Sequence, residues 1–338
     1  MSRSFGAQSI SIITILVFCA ILLCANDGAI LSIGTLPSVG SKNVRAGEFF
    51  AYSDDLGSLE HDILFHNLNG IISKTRNSDV LFVGNSRMQM GWDHNLLRKI
   101  ANSAGFKIFN LSCGNSEGIP FFAELIKKHD IRDKIVVVNI DSSTPIISGP
   151  ASKAMNTPWL PSLESVLNKT SYFHSKALAE SFLSERIISD IDHYGYYVRI
   201  RATILRNFTD GFWIYRHWGV LDGKGKPCSD EKRGFPDEDA LPKIANFMQI
   251  MRDQNNYVIL TQVPSTDSSP QDVHTVANTI GGTPLLYTRE YTKMWTYDGS
   301  HLNTESATQF TEEILPRIVA MAREHLPRRE PAPIRGPQ

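Results

Sequence analysis

Short apolar runs alternate with helical patterns along the middle of this chain, and this alternation constrains the fold more than any other feature. Val80–Val83 is apolar throughout, and Lys134–Ile140 (KIVVVNI) gives the strongest strand signal in the sequence. Strands without polar alternation are typical of a sheet that is covered on both faces. The sequence therefore predicts an α/β fold with a parallel sheet and helices on both sides of it.

The alternation continues to the end of the chain, with one long interruption. Further helices are predicted over His94–Ala104, Ile119–His129, Asp239–Gln254 and Thr304–Glu324, and further strands over Lys107–Leu111 and Tyr257–Gln262. Thr304 is the expected N-cap of the last helix. Residues 142–238 break the rhythm and predict a large insertion, with helices expected over Leu178–Ile191 and Val198–Arg206.

The N-terminal region contains a run that is apolar enough to enter a membrane. Ile10–Ala25 (ISIITILVFCAILLCA) carries no charge and, with Gln8 and Ser9, approaches the ~20 residues that span a bilayer. Arg3 precedes it, so the positive-inside rule places the N-terminus in the cytoplasm. We expect residues 1–8 to be cytoplasmic, residues 9–26 to form an uncleaved transmembrane signal anchor, and the rest to be extracytoplasmic, periplasmic in a Gram-negative cell. A cleaved signal peptide, a lipoprotein signal at Cys24 and a buried core helix are the alternatives.

The remaining segments divide the chain around one main domain. Residues 27–77 are expected to be a connector with modest helical content, leading the chain away from the membrane. Residues 327–338 are rich in proline and arginine, which is typical of a disordered tail. This leaves 78–326 as one domain, with its insertion at about 142–238.

Composition excludes some classes of function. The net charge of −1 offers no basic surface for nucleic acid. Four cysteines occur without a CxxC motif or zinc-ligand spacing. Cys113 and Cys228 are the two outside the apolar run, and both a disulfide and two buried thiols remain open.

A serine at the end of the first predicted strand suggests nucleophilic chemistry. Ser86 follows Gly84-Asn85, and Asp298-Gly-Ser-His301 lies just before the last predicted helix. Ligands of doubly wound sheets bind beyond the carboxyl ends of the strands. A serine hydroxyl becomes nucleophilic when a histidine takes its proton and a carboxylate orients that histidine. Each motif alone is also typical of an ordinary turn, but their order and position predict Ser86 as nucleophile, His301 as base and Asp298 as its orienting residue.

Three motifs resemble the SGNH (GDSL-like) hydrolase superfamily. Gly84-Asn85-Ser86 is similar to its first block, Asn110-Leu-Ser-Cys-Gly-Asn-Ser116 to its second and Asp298-Gly-Ser-His301 to its fifth. The resemblance covers roughly 79–324 outside the insertion. It implies a three-layer α/β/α, flavodoxin-like fold with a large helical insertion.

The resemblance also implies an oxyanion hole, which this sequence matches in part. The backbone N–H groups of Ser86 and Gly114 are the implied donors. In the third block the family's Gly-x-Asn-Asp is replaced by Val138-Asn-Ile-Asp, so Asn139 is a candidate donor that departs from the pattern. By register from the predicted strand, the donor position falls near Ser143, with Asn139 still inside the strand.

The resemblance and the N-terminal run together suggest a member that adds or removes acyl groups on cell-surface polysaccharides. We expect a serine-dependent hydrolase or acyltransferase that acts on acyl esters, most simply O-acetyl esters of carbohydrate, and requires no metal or cofactor. The expected partners are that substrate, the membrane, and a membrane-bound acyltransferase or polysaccharide assembly complex, with no nucleic acid. Arg87 is either a binding residue for an anionic substrate group or a solvated residue at the start of a helix.

Two other functions stay open on the sequence. The departure in the third block is compatible with a catalytically silent SGNH-like binding or scaffold protein. A lipid or thioester hydrolase is the other alternative, and its insertion should form an apolar tunnel. The aromatic residues between 194 and 218 are either a stacking platform for sugars or the core of the insertion.

Overall fold

The computed structural model describes residues 47–53, 57–114, 116–169, 203–215, 223–230 and 239–326. Several predictions lie outside these residues, namely the apolar run Ile10–Ala25, the helix Leu178–Ile191, the tail 327–338 and most of the aromatic residues between 194 and 218. Within the described ranges, no helix combines the length and the apolar character that a membrane crossing requires.

The helices and strands have the following bounds. The strands are β1 Glu48–Ser53, β2 Gly57–Ser58, β3 Val80–Val83, β4 Ile108–Asn110, β5 Ile135–Asn139, β6 Thr203–Asn207, β7 Trp213–Tyr215, β8 Lys226–Pro227, β9 Tyr257–Thr261, β10 Thr283–Pro284 and β11 Trp295–Thr296. The helices are α1 Glu60–His66, α2 Ile71–Arg76, α3 Ser86–Met90, α4 His94–Ala104, α5 Ile119–Lys128, α6 Gly149–Asn156, α7 over 159–169, α8 Ala240–Asp253, α9 Pro270–Ile280 and α10 Thr304–His325.

A five-stranded parallel sheet forms the centre of the protein. Its spatial order is β10-β9-β5-β3-β4, and every neighbouring pair is parallel. Counted along the chain, this is the 2-1-3-4-5 order of one common class of doubly wound sheets. The predicted α/β fold with a parallel sheet is thus confirmed.

The two faces of the sheet are buried in separate apolar clusters. Val83 and Val138 face the cluster that contains α1, α5 and α8, whereas Phe82 and Val137 face the cluster that contains α4 and α10. Successive side chains of a strand point to opposite faces, so strands buried on both sides need apolar residues at every position. This is why the runs at 80–83 and 135–138 show no polar alternation.

The described part of the expected connector at 27–77 belongs to the folded core, which corrects that prediction. β1 pairs antiparallel with β6 in a second sheet of order β2-β1-β6-β7. Leu64 and Ile71 are completely buried in the cluster with α5 and α8. The pairing joins segments that lie far apart in the chain, and no local pattern reveals it.

The described parts of the insertion are mixed rather than helical. α6 and α7 lie there together with β6, β7 and β8. The helix expected over Val198–Arg206 is wrong from residue 203 onward, because that part forms β6 and pairs in register with β1, Arg206 opposite Phe49. Tertiary pairing here overrides the local helical pattern.

Two smaller expectations are also resolved. The N-cap of α10 is Asn303 rather than Thr304, since the Asn303 side chain accepts a 3.0 Å hydrogen bond from Ser306 N–H. Cys113 and Cys228 are buried free thiols. Burial raises the pKa of Cys228 to about 12 and also raises that of Cys113.

Candidate active site

The nucleophile motif forms a close turn at the carboxyl end of β3. Gly84 adopts a φ of 153°, and a Cβ there would lie 3.0 Å from the Cβ of Asn139 on the adjacent strand β5. Asn85 then caps α3, because its side-chain oxygen accepts a 3.0 Å hydrogen bond from Arg87 N–H. Ser86 is therefore the first residue of α3, at the edge where doubly wound sheets bind their ligands.

The second motif is a tight turn between β11 and α10. Asp298 Oδ1 accepts hydrogen bonds of 2.9 Å from the backbone N–H groups of both Ser300 and His301. Gly299 adopts a φ of 94°, in the left-handed region that favours glycine. These bonds place the Asp298 carboxylate beside the His301 ring.

The two motifs meet through a continuous chain of hydrogen bonds. His301 Nδ1 lies 2.7 Å from Asp298 Oδ2, and His301 Nε2 lies 2.8 Å from Ser86 Oγ. An ionised carboxylate only accepts, so the proton of the neutral ring belongs on Nδ1 and Nε2 accepts from the serine hydroxyl. The arrangement can take the proton of Ser86 as its oxygen attacks an electrophile.

Asp298 is held in its ionised form. Burial raises its pKa, but the hydrogen bond and charge of His301 and the N–H groups of His301 and Ser300 outweigh this effect. The pKa of Asp298 is consequently lowered to about 2. At neutral pH the carboxylate is available to orient His301 and to stabilise its protonated form.

Gly114 is not free to act as an oxyanion donor, which corrects the prediction. Its N–H donates a 2.8 Å hydrogen bond to Glu60 Oε1. Glu60 is fully buried, and its other oxygen accepts 2.9 Å bonds from Arg206 Nη1 and Trp213 Nε1. Because these bonds hold Glu60 in place, the Gly114 N–H remains hydrogen-bonded to its carboxylate.

Asn139 is likewise engaged elsewhere. It is the last residue of β5, and its side-chain amide donates a 2.7 Å bond to Asp141 while its oxygen accepts a 2.9 Å bond from Val263 N–H. Ser143, the donor position inferred by register, gives its N–H to Asp141 at 2.8 Å. Among the described residues no group accepts from the N–H of Ser86, so this N–H is available beside the Ser86 hydroxyl.

Arg87 is neither an unpaired anion-binding residue nor a solvated one, so both expectations for it are corrected. Its Nε donates a 3.0 Å hydrogen bond to Ser300 Oγ, and its Nη2 lies 2.8 Å from Asp267. Its Nη1 lies 3.5 Å from Asp141. The guanidinium is thus surrounded by protein groups, and only 14% of the side chain is exposed.

The sequence reasoning missed three residues that border the triad. Asp141 follows β5, and Asp267 lies in the loop after β9, so both carboxylates stand beyond the carboxyl ends of parallel strands. Because ligands bind beyond the carboxyl ends of such strands, this position could have indicated from the sequence that Asp141 and Asp267 lie near the site. The Tyr297 ring stacks on His301 with centroids 5.8 Å apart, and burial together with the charge of Asp298 raises the pKa of its hydroxyl.

A cluster of possible metal ligands lies beside Gly114. One ligand atom each from Glu60, His61 and Cys113 fits within 4.8 Å. Arg206, however, contacts both Glu60 at 2.9 Å and the Cys113 sulfur at 3.8 Å. The guanidinium already supplies the positive charge there, which fits a buried ion pair rather than a metal centre.

Comparisons of this chain with family models, with curated proteins and with solved structures gave no match.

Proposed function

We propose that this protein is a serine-dependent hydrolase or acyltransferase acting on acyl esters, most simply O-acetyl esters of cell-surface carbohydrate. One observation carries the proposal, the unbroken hydrogen-bond chain from Ser86 through His301 to Asp298. The two ring nitrogens face the groups that a triad requires, the hydroxyl at Nε2 and the carboxylate at Nδ1. The resemblance to SGNH hydrolases supports an ester substrate, and fold-level analogy supports carbohydrate.

The reaction follows from these contacts. Ser86 Oγ attacks the acyl carbon while its proton moves to His301 Nε2, and the N–H of Ser86 stabilises the negative oxygen that develops. His301 then returns the proton to the leaving sugar oxygen as the carbon–oxygen bond breaks, which leaves an acyl-serine. Water or a second sugar hydroxyl, deprotonated by His301, attacks this ester and regenerates Ser86. Water completes a hydrolysis and a sugar completes a transfer.

The proposed location follows from the apolar run at 10–25. A signal anchor over residues 9–26 would hold the catalytic domain at the extracytoplasmic face of the membrane. There it would meet the polysaccharide together with a membrane-bound acyltransferase or assembly complex.

A catalytically silent scaffold is the second candidate, and a specific observation favours it. Gly114 N–H and the Asn139 amide, the two oxyanion donors implied by the resemblance besides Ser86, both serve other partners. Loss of one such donor costs about 10²–10³-fold in rate. The scaffold therefore stands as the alternative if the serine proves unreactive.

A fluorophosphonate probe tests the proposal directly, because only an activated serine displaces its fluoride at a useful rate. The full chain in detergent is labelled beside Ser86→Ala and His301→Ala, with Ser143→Ala as a matched serine control near the same sheet edge. We expect labelling of the wild type and of Ser143→Ala only. A folded wild type that stays unlabelled would favour the scaffold.

The ester substrate is then defined with a series of acyl chain lengths and an O-acetylated polysaccharide. A preference for acetyl esters and release of acetate from the polysaccharide would support the carbohydrate assignment. Rates that rise with chain length would favour the lipid or thioester hydrolase instead.

A further inference from the structure

We infer that Arg87 is a positioning residue that sets the distance between Ser86 and His301 by tying α3 to the turn at 298–301. The inference rests on the proposed function of the Ser86–His301–Asp298 triad. The Arg87 side chain contacts none of the three triad side chains, and its described contacts go to Ser300, Asp141 and Asp267.

Two connections run in parallel between the same two segments. Ser86 contacts His301 at 2.8 Å, and its neighbour Arg87 contacts Ser300, the neighbour of His301, at 3.0 Å. Any displacement of the turn away from α3 must therefore break the Arg87–Ser300 bond as well as the catalytic one.

The guanidinium is fixed by carboxylates from two other strand ends. Asp267, after β9, lies 2.8 Å from Nη2, and Asp141, after β5, lies 3.5 Å from Nη1. A planar guanidinium that is held on two sides presents its Nε–H in one direction only. Here that direction is toward Ser300, so the ends of β3, β5 and β9 jointly determine where the turn lies.

The loops after β5 and β9 also contact residues next to Ser86 and near His301 in the chain. Asp141 accepts a 2.7 Å bond from Asn85, so it contacts the residues on both sides of Ser86. Thr266, next to Asp267, donates its hydroxyl to the carbonyl oxygen of Gly299 at 2.6 Å. Arg87 is the one described side chain that contacts both of these carboxylates and the catalytic turn.

The lowered pKa of Asp267 agrees with a strong ion pair between this carboxylate and Arg87. Burial raises the pKa of this carboxyl, but the Arg87 guanidinium and the Ser265 hydroxyl outweigh it and hold the pKa below its usual range. Removal of Arg87 would leave Asp141 and Asp267 without their common counter-charge beside the catalytic turn.

The test compares Arg87→Ala and Arg87→Lys with Arg98→Ala in the full chain. Arg98 is the matched control, because it also pairs with an aspartate, Asp210, but lies on α4. We expect Arg87→Ala to lower the fluorophosphonate labelling rate, and kcat for ester hydrolysis, by about 10- to 100-fold, with KM for the ester unchanged. The reason is that small misplacements of reacting groups cost up to 10²-fold in rate. Arg87→Lys should be intermediate, because an ammonium lacks the planar fork. Arg98→Ala should keep the wild-type rate.

Chemical rescue separates positioning from a merely structural role. Millimolar guanidinium or methylguanidinium should restore several-fold of the labelling rate of Arg87→Ala and leave that of Arg98→Ala unchanged. A folded Arg87→Ala protein with the wild-type rate would overturn the inference. If Arg87→Ala does not fold, Ser300→Ala replaces it as the test, because it removes the hydrogen bond to Arg87 Nε and keeps the ion pairs of Arg87 with Asp141 and Asp267. A lowered kcat of Ser300→Ala supports the inference, and a wild-type kcat overturns it.

Hydrogen exchange distinguishes failure of this inference from failure of the proposed function. If the wild type does not label, the proposed function fails, and exchange at 297–302 still tests Arg87. Faster exchange confined to that turn in Arg87→Ala supports the positioning role, whereas unchanged exchange excludes it.

Discussion

His301 Nε2 lies 2.8 Å from Ser86 Oγ, although the two residues are 215 positions apart in the chain. The sheet explains this contact. Ser86 follows β3, and His301 lies between β11 and α10. The apolar side of α10 packs on the sheet face that carries Phe82. Parallel strands end at one edge, so residues distant in sequence converge there.

Replacement of Asp298 by asparagine should abolish most of the activity without unfolding the protein. The asparagine amide can donate to Nδ1, which moves the ring proton to Nε2 and prevents it from accepting from Ser86. We expect kcat to fall about 10³- to 10⁴-fold, as loss of an orienting carboxylate does in other triads. Ester kinetics provide the measurement, with Asp130→Asn on an exposed turn as the control. A decrease below tenfold would contradict the role of Asp298.

The low pKa of Asp298 predicts a specific pH dependence of stability. A carboxyl whose pKa falls from 3.8 to about 2 on folding contributes stability that is complete above pH 4 and is lost as pH falls through 2. Denaturant unfolding of wild type and Asp298→Asn between pH 2 and pH 6 measures this contribution. We expect the difference between them to shrink in that acid window and to stay constant above it. A difference that changes only above pH 5 would contradict the assignment.

The sequence allowed prediction of the parallel sheet from local signals. Local signals also indicated Ser86, Asp298 and His301, of which His301 lies within hydrogen-bond distance of the other two, while their catalytic roles stay a prediction. Apolar runs report burial on two faces, and the motifs lie directly at element ends. The strand-end positions of two further carboxylates could be recognised in the same way, but their pairing with Arg87 could not. Its carboxylates, Asp141 and Asp267, become neighbours only after β5 and β9 pair.

The hydrogen bond from Gly114 N–H to Glu60 was not predictable from the sequence for a related reason. Its N–H is taken by Glu60, a residue from the segment that local patterns assign to a connector. Glu60 in turn is held by Arg206, 146 positions away on β6, in a region that local patterns assign to a helix. A backbone donor can be matched by family motif, but the side chain that occupies it depends on long-range pairing.

Removal of one partner of the buried Glu60–Arg206 pair should strongly destabilise this part of the fold. Both side chains are fully buried, and their charged atoms lie 2.9 Å apart. Glu60→Leu leaves an uncompensated guanidinium and should cost about 3–5 kcal/mol in the free energy of unfolding. The double variant Glu60→Gln, Arg206→Met removes both charges, keeps an acceptor for Gly114 N–H and Trp213 Nε1, and should recover much of that loss. Denaturant unfolding measures both, and a double variant as unstable as the single one would contradict the pairing.

Tyr297 should support catalysis through its ring rather than its hydroxyl. The ring stacks on His301 at 5.8 Å, whereas the hydroxyl lies 3.5 Å from the Met90 sulfur, a weak acceptor, and also interacts with the Asp298 side chain. Tyr297→Phe keeps the stacked ring and should keep kcat within about twofold. Tyr297→Ala removes a ring contact of about 0.5–1.5 kcal/mol, equivalent to a roughly 2- to 10-fold loss in kcat. Ester kinetics at saturating substrate separate the two variants. If Tyr297→Phe loses as much activity as Tyr297→Ala, the hydroxyl and its interactions with Met90 and Asp298 carry the effect instead of the stacking on His301.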